Sequence, residues 1–257
     1  MSDAATTVER PIAMLPWHAH AHQRLQAAVA AGRLPHAVLV QGPAGVGKEH
    51  FASAIAAALF CRDRGPDLVA CGQCAECSLY RNGTHPDMYW VRPPEDRKSI
   101  GVDQVREACE QLSMTAMRRG ARVAVFAPAE AMTPSAQNAL LKTLEEPSPG
   151  TLMVLVAARP SRLLATLRSR CQRLEIACPP ARSTLSWLES ASGRAVPPGL
   201  LEACGGAPLK ALALAPHYAD LDAHMTGLLA AVVSGRADAC AAAADMIGDG
   251  LPSKWPM

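Results

Sequence analysis

A glycine-rich loop between an apolar run and a helical segment constrains the fold of this chain more than any other feature of its sequence. Gly42–Lys48 (GPAGVGK) follows the apolar run Ala37–Gln41 and precedes Glu49–Phe60, which is rich in alanine. The spacing G-x-x-x-x-G-K between a strand and a helix is typical of P-loops, in which backbone N–H groups hold the phosphates of a nucleotide. The sequence therefore predicts a P-loop domain, with candidate nucleotide-binding residues Gly42, Gly45, Gly47 and Lys48.

Further apolar segments continue the alternation of strand and helix. Val123–Phe126 and Leu152–Val156 are continuous apolar runs, as expected for parallel strands that are covered on both faces. The other predicted strands are Met88–Val91 and Leu174–Ile176, and the predicted helices are Val102–Leu112, Ser135–Leu144 (stopped by Pro147) and one that begins in Leu163–Arg168. This alternation predicts an α/β fold with a doubly wound parallel sheet.

Composition and charge narrow the class of protein. The chain has 257 residues, of which 49% are hydrophobic, yet its apolar runs are shorter than the roughly 18 residues that a membrane span needs. Residues 1–10 contain Asp3 and Glu9 and no apolar stretch, so they do not resemble a secretory signal. We therefore expect a globular cytoplasmic protein. The net charge of +2 does not by itself indicate a nucleic-acid surface.

Four closely spaced cysteines predict a metal site inside the P-loop domain. Cys61, Cys71, Cys74 and Cys77 follow the pattern C-x9-C-x2-C-x2-C, which lets four thiolates converge on a tetrahedral zinc ion. The alternative is four unrelated buried cysteines, but the residues between them are polar and loop-like, which favours a zinc knuckle. Four protein ligands close the coordination sphere, so we predict a structural zinc ion. The ordinary buried cysteines are expected to be Cys109, Cys171, Cys178, Cys204 and Cys240.

The P-loop is not accompanied by the residues that ATP hydrolysis needs. The position after Lys48, where a Ser or Thr hydroxyl would bind magnesium, holds Glu49, which is expected to bring a carboxylate near the phosphates. Residues 127–129 (APA) offer no acidic metal ligand after the third strand, and we interpret Glu130 as a solvated loop acid. Residues 157–158, where a polar sensor of the γ-phosphate would stand, are both alanine. We therefore predict weak nucleotide binding at most, with ATP or ADP held without turnover.

Two longer motifs resemble one known family. They are Asn138–Pro147 (NALLKTLEEP) and Leu163–Cys171 (LLATLRSRC), which occur here together with the P-loop and the four-cysteine insertion. In this combination the chain closely resembles the bacterial clamp-loader AAA+ family over roughly residues 12–216. Thr84–Asp87 (THPD) and the missing magnesium residues make it similar to a subunit without a working ATP site, unlike the gamma and tau subunits, which keep one.

The resemblance implies a role inside a larger complex. In that family the arginine of the S-R-C motif acts in trans on the γ-phosphate of ATP bound to a neighbouring subunit, and the matching residue is Arg170, not the nearby Arg168. The resemblance implies an accessory subunit of a DNA-directed DNA polymerase, a nucleotidyltransferase, with no polymerase or ATPase site of its own. Its implied partners are the gamma/tau and delta subunits and, through the complex, the sliding clamp and primed DNA.

Two other functions stay open at this point. One is an active P-loop ATPase similar to gamma and tau, which the intact Lys48 favours and the missing magnesium residues oppose. The other is a zinc-ribbon protein that binds nucleic acid, which the near-neutral charge and the lack of aromatic residues beside the cysteines disfavour.

Three domains are expected. Residues 1–178 are predicted to form the AAA+ P-loop domain, with the zinc module at residues 61–77. Residues 179–216 are predicted to form a helical lid, in which Lys210 is a partial substitute for an arginine that active relatives place there. Residues 217–257 are too few for a complete helical collar built from helices of about 11 to 12 residues each, so we expect a partial, shortened collar.

Overall fold

The computed structural model describes residues 10–118 and 121–234 of the chain. Within these residues the chain forms two compact units. The first comprises residues 10–43 and 47–177, and the second comprises residues 44–46 and 178–234.

The first unit is built on a parallel sheet. Its strands are β1 Ala37–Gln41, β2 Met88–Val91, β3 Arg122–Phe126, β4 Thr151–Ala157 and β5 Gln172–Glu175. In the described part of the chain they form one five-stranded sheet with the order β2-β3-β4-β1-β5. β1 pairs with β4 on one side and with β5 on the other, so that Leu39 lies opposite Leu155 and Arg173. The predicted α/β fold with a parallel sheet is therefore confirmed.

The apolar runs of the sequence become the buried centre of this sheet. Every residue of β3 and β4 is buried, as expected for parallel strands covered on both faces. The first four predicted strands agree with the observed ones to within one residue at each end. The last prediction is wrong in its limits, because Gln172 and Arg173 already pair with β1. Ile176 follows that strand, and its N–H donates a hydrogen bond to the Gln41 carbonyl oxygen at 2.8 Å.

Helices precede and connect the strands of the first unit. In its described part these helices are α1 Ala19–Ala30, α2 Lys48–Phe60, α3 Ala75–Arg81, α4 Val102–Ser113, α5 Pro134–Glu145 and α6 Ala165–Ser169. α5 begins where its sequence provides a cap: the Thr133 hydroxyl accepts a hydrogen bond from the Ala136 N–H at 3.2 Å, and Pro134 takes the first helical position. α2 is buried from Phe51 to Phe60, because its alanines let it pack tightly on all sides.

The second unit is helical in its described part. Its helices are α7 Ala181–Ser192, α8 Leu200–Ala203, α9 Pro208–Leu214 and α10 Tyr218–Val233. A small apolar core joins α7, α8 and α9, and its buried members are Leu188, Leu200, Leu201, Cys204 and Ala211. α10 falls in the range predicted for a partial collar, and residues 235–257 of that prediction lie outside the described residues. Of the helices described here, none is both long enough and apolar enough to cross a membrane.

Candidate functional site

The P-loop joins β1 to α2 in a conformation that requires glycine. Gly42 has a φ of 150°, and a Cβ at this position would lie 2.1 Å from the Ile176 carbonyl oxygen. Gly47 caps the start of α2 in the left-handed conformation, with a φ of 83°. Lys48 is buried, and its Nζ donates a hydrogen bond to the Pro43 carbonyl oxygen at 2.6 Å. The predicted loop thus forms between a strand and a helix, with its lysine bonded to the loop backbone.

Two candidate residues belong to the second unit. Gly45 has a φ of 80°, and its carbonyl oxygen accepts a hydrogen bond from the Leu209 N–H at 2.9 Å. Lys210 follows on α9 and is half-buried. The lysine predicted as a partial substitute for a lid arginine is therefore located on a short helix.

The residue after the P-loop lysine is engaged in an ion pair. Glu49 Oε2 accepts a hydrogen bond from Arg92 Nη2 at 2.5 Å, and both side chains are about half exposed. The Arg92 guanidinium also lies over the Trp90 ring, 4.6 Å from its centroid. At the position where a P-loop ATPase places a magnesium-binding hydroxyl, this chain therefore has a carboxylate that is bonded to an arginine.

The carboxyl ends of β3 and β4 carry small side chains. Ala127, Ala129 and Ala157 are buried, and residues 127–129 contain no carboxylate. Glu130 is not the solvated loop acid that we predicted. It is half-buried, and its Oε1 accepts hydrogen bonds from the backbone N–H groups of Ala158 at 3.0 Å and Arg159 at 3.1 Å. This carboxylate stabilises the turn after β4, because it accepts hydrogen bonds from two backbone N–H groups that lie directly beyond the end of the strand.

The four predicted metal ligands come together in space. Cys61 follows the end of α2, Cys71 lies in the connecting loop, Cys74 caps α3, and Cys77 lies within that helix. Their sulfur atoms all lie within 4.8 Å of one another, and two of the Sγ–Sγ distances are 4.0 and 3.9 Å. Tetrahedral zinc with Zn–S bonds of about 2.3 Å would separate its sulfur ligands by about 3.8 Å. The cluster therefore fits a zinc ion in both donor type and spacing.

Backbone N–H groups donate hydrogen bonds to the sulfur atoms of this cluster, which favours the thiolate form that binds a metal ion. The Cys71 N–H donates a hydrogen bond to Cys61 Sγ at 3.3 Å, and the Cys74 N–H donates to Cys71 Sγ at 3.4 Å. Burial raises the pKa of Cys74, but backbone hydrogen bonds at Cys77 and Arg62 outweigh it and lower that pKa to about 6. Burial raises the pKa of Cys77 and of Cys61. These two thiols would lose their protons on binding the metal, since the thiolate is the ligand.

A buried carboxylate lies in the middle of the cysteine knuckle. Glu76 is 1% exposed; its Oε1 accepts hydrogen bonds from Arg62 Nη2 at 2.7 Å and Arg118 Nη2 at 2.9 Å, and its Oε2 accepts from Arg118 Nε at 2.6 Å. His85 Nε2 lies 3.4 Å from the same Oε2. The bonds from Arg118 are the main reason why the pKa of Glu76 is lowered, so the carboxylate is ionised at neutral pH. Glu76 thus lies in a helix and is buried, whereas the residues between the cysteines, Glu76 included, were expected to be polar and loop-like.

The THPD segment connects this knuckle to the sheet. The His85 ring stacks on Phe60 with 3.8 Å between ring centroids. Asp87 is buried, and its carboxylate oxygens accept hydrogen bonds from the backbone N–H groups of Met117 at 2.8 Å and Arg118 at 2.9 Å. The motif therefore holds the segment that supplies Arg118 to Glu76.

Arg170 stands at the end of the five-residue helix α6. Its Nη1 donates to the Thr166 carbonyl oxygen at 3.0 Å, its Nη2 donates to Glu145 Oε1 at 2.6 Å, and its side chain is 37% exposed. Arg168 differs: it is half-buried, and its buried Nε has no hydrogen-bond partner among the described residues. Of these two arginines, Arg170 is the one whose guanidinium is both exposed and held in place.

Comparison with known proteins decides the family. The model of the family described as "DNA polymerase III, delta subunit" matches residues 17–180. The DNA polymerase III subunit delta' of Pseudomonas aeruginosa is 44% identical over 183 residues, and that of Escherichia coli is 41% identical over 173 residues. The chain belongs to the DNA polymerase III delta-prime family. These matches cover 68% and 67% of the chain, which spans about half the length of these relatives (54% and 52%).

Solved structures agree with the fold of this delta-prime family member. A mutant of RuvB from Thermotoga maritima superposes with a TM-score of 0.53 at 16% identity, covering 96% of this chain and 75% of that one. The RuvB Holliday junction branch migration motor from the same organism gives a TM-score of 0.51 at 17% identity, covering 83% and 65%. Identities this low support a common fold and nothing more specific.

Several side chains of the site in this delta-prime family member were not identified from its sequence. Arg92 follows a strand and is separated from Glu49 by many residues, so the sequence pattern does not link them. Glu145 lies in the NALLKTLEEP motif, and Glu76 lies between two of the predicted zinc ligands. These positions are the sequence signals that could have identified the two acids. Neither signal specifies the arginine with which each acid pairs.

Proposed function

We propose that this chain is a non-hydrolysing subunit of the DNA polymerase III clamp loader that helps to load the sliding clamp onto primed DNA and lends Arg170 to a neighbouring ATP site. Membership of the delta-prime family supports a place in that complex. The observation that carries the proposal is the contrast between two sites of one chain. The P-loop has an ion-paired Glu49 where magnesium would be bound, whereas Arg170 is exposed.

The chemistry proposed for Arg170 takes place on a nucleotide held by another chain. Water attacks the γ-phosphorus of ATP bound by a gamma or tau subunit, the bond from phosphorus to the bridging oxygen breaks, and ADP and phosphate leave. Negative charge builds up on the phosphoryl oxygens during this step, and a guanidinium with its planar array of N–H donors stabilises that charge. Exposure of Arg170 is necessary for such a role.

The chain's own P-loop is proposed to bind ATP or ADP weakly at most and without turnover. Gly42, Gly47 and Lys48 retain the form of a phosphate cradle, but a Glu49 carboxylate paired with Arg92 takes the position of the magnesium-binding hydroxyl. Residues 127–129 lack the acid that would hold magnesium. The chain is therefore proposed to be an accessory subunit with no polymerase or ATPase site of its own.

Zinc is proposed as a structural cofactor. Cys61, Cys71, Cys74 and Cys77 would hold it, and their spacing fits a closed four-sulfur site. When bound, the ion would cross-link the end of α2 to α3 and stabilise the knuckle, with no coordination position left for water.

The remaining assignments are also proposals. We propose gamma/tau and delta subunits as partners, contact with the clamp and primed DNA through the complex, and a cytoplasmic location. We retain residues 179–216 as the lid and residues 217–257 as a partial collar, of which residues 235–257 lie outside the described part of the chain.

The test is reconstitution with gamma or tau and delta. Arg170→Ala is expected to lower the ATPase rate that the clamp and DNA stimulate, without preventing assembly, whereas Arg168→Ala has a much smaller effect. Arginine fingers contribute on the order of 10³ to 10⁵ in rate at their own site, and one site among several gives a partial loss overall. Arg170→Lys should not rescue the rate, because an ammonium lacks the planar fork. Equal rates for wild type and Arg170→Ala at equal stoichiometry would leave the chain a scaffold.

An active ATPase similar to gamma and tau is the second candidate, and the intact, buried Lys48 favours it. Steady ATP turnover by the isolated chain would establish this alternative in place of the first.

A further inference from the structure

The guanidinium of Arg170 is held by a carboxylate on another helix. Glu145 is the last residue of α5, and its Oε1 accepts a hydrogen bond from Arg170 Nη2 at 2.6 Å. The second bond, from Nη1 to the Thr166 carbonyl oxygen at 3.0 Å, comes from the helix that carries the arginine. Among the described residues these are the hydrogen bonds of the Arg170 side chain. Since a guanidinium has five N–H donors, the others are left for an anionic group.

Helix stability does not account for the presence of Glu145. The C-terminal end of a helix carries a partial negative charge, so a carboxylate in its last turn is unfavourable, and Glu146 adds a second one directly after it. α5 has only Lys142 as a basic residue in its last turn. Removing the charge of Glu145 should therefore leave α5 equally stable or slightly more stable.

The backbone beside Arg170 is held independently of Glu145. The buried Gln137 of α5 accepts a hydrogen bond from the Leu164 N–H through its Oε1 at 2.8 Å and donates to the Met132 carbonyl oxygen at 3.1 Å. Loss of Glu145 would leave the arginine side chain with the Thr166 bond alone, while its backbone stays in place. The less restrained guanidinium must then lose more rotamer freedom each time it engages a phosphate.

We propose that Glu145 is a positioning residue for Arg170, holding the guanidinium in one orientation on the surface so that its remaining N–H donors are ready for the γ-phosphate of ATP bound to a neighbouring subunit. This inference rests on the proposed function, in which Arg170 acts in trans. Glu145 acts through Arg170 and does not itself touch the nucleotide. Both side chains are partly solvated, with 53% of Glu145 and 37% of Arg170 exposed, so the effect of the pair is modest.

The experiment is a double-mutant cycle in the reconstituted loader, with the full chain and with gamma or tau and delta. Glu145→Ala is expected to lower turnover at the site that Arg170 serves by about two- to five-fold, the range for an exposed ion pair, with KM for ATP unchanged because another subunit binds the ATP. The stimulated ATPase rate of the whole loader should therefore fall, but by less than in Arg170→Ala. Glu145→Gln keeps a carbonyl acceptor and should retain most of the rate. Glu146→Ala, the matched control, removes the same charge from the next residue and should have no effect.

The cycle also separates this inference from the function on which it rests. In the Arg170→Ala background, Glu145→Ala should cause no further loss. An unchanged or increased kcat in Glu145→Ala, or an equal additional loss in the Arg170→Ala background, would overturn the positioning role while the proposed function stands. If Arg170→Ala itself leaves the rate unchanged, the proposed function and the positioning role are both wrong.

Discussion

The buried Glu76 offers the sharpest test of how the cysteine knuckle is held to the rest of the first unit. Glu76→Gln replaces one carboxylate oxygen with an NH2 group and removes the charge. Arg62 and Arg118 present only donors to this position, so the new NH2 group would face N–H groups instead of accepting from them. The substitution therefore breaks charge-assisted bonds without changing the size of the side chain.

The magnitude follows from the exposure of the partners. Breaking a fully buried ion pair costs about 3–5 kcal/mol of unfolding free energy. Here Glu76 is 1% exposed, but the side chains of Arg62 and Arg118 are 60% and 35% exposed, so water can solvate both arginines once the acid is gone. We therefore expect a loss of roughly 2–3 kcal/mol, which for a domain of this size lowers the melting temperature by about 5–10 °C.

The assay is thermal unfolding of wild type and variant, both loaded with zinc, followed by circular dichroism. Glu107→Gln is the control, because Glu107 is exposed on α4, and it should change the unfolding free energy by less than about 0.5 kcal/mol. Equal melting temperatures for wild type and Glu76→Gln would refute the reasoning that Glu76 joins the knuckle to its neighbours.

Zinc content, ATP turnover and the buried Tyr80 can each be tested separately. Purified protein should contain about one zinc ion per chain by elemental analysis, and Cys74→Ala should release it. The isolated chain should show no ATP turnover in a phosphate-release assay, and Glu49→Thr alone should not restore it, because residues 127–129 still lack an acid. Tyr80 is buried in α3, with its hydroxyl hydrogen-bonded to that of Ser53. Burial raises the pKa of Tyr80 from 10.0 to about 12, so its stabilising contribution is full below pH 10 and is lost as pH rises through 12. In urea titrations, Tyr80→Phe should therefore lose less stability over that range, by roughly 2–3 kcal/mol.

The elements that the sequence predicted best are those with local signals. Four strands were predicted to within one residue at each end. Continuous apolar runs such as Leu152–Val156 are typical of parallel strands that are covered on both faces of the sheet. β5 was predicted too late, since its first residues are polar and their pairing with β1 depends on the rest of the sheet. The cysteines were found from spacing alone, and they do converge.

The features that the sequence did not reveal depend on contacts between distant segments. Glu76 pairs with Arg118, which lies 42 positions later, and Glu130 accepts from the backbone of Ala158, which lies 28 positions later. A single acid in a polar stretch has the same appearance whether it is solvated or buried against an arginine. Only the folded chain distinguishes these two cases, so both acids were expected in loops.

The two edge strands of the sheet are short, which limits how another chain could pair with them. β2 and β5 lie at opposite ends of the strand order, and each is four residues long. An exposed strand edge is a template on which another chain can add a strand and start aggregation. Pro86 precedes β2, and Pro93 and Pro94 follow it closely, so an added strand would find only a short run of backbone donors and acceptors there. Substitution of Pro93 and Pro94 by residues that favour strands would lengthen this edge and promote self-association, even with the native core intact.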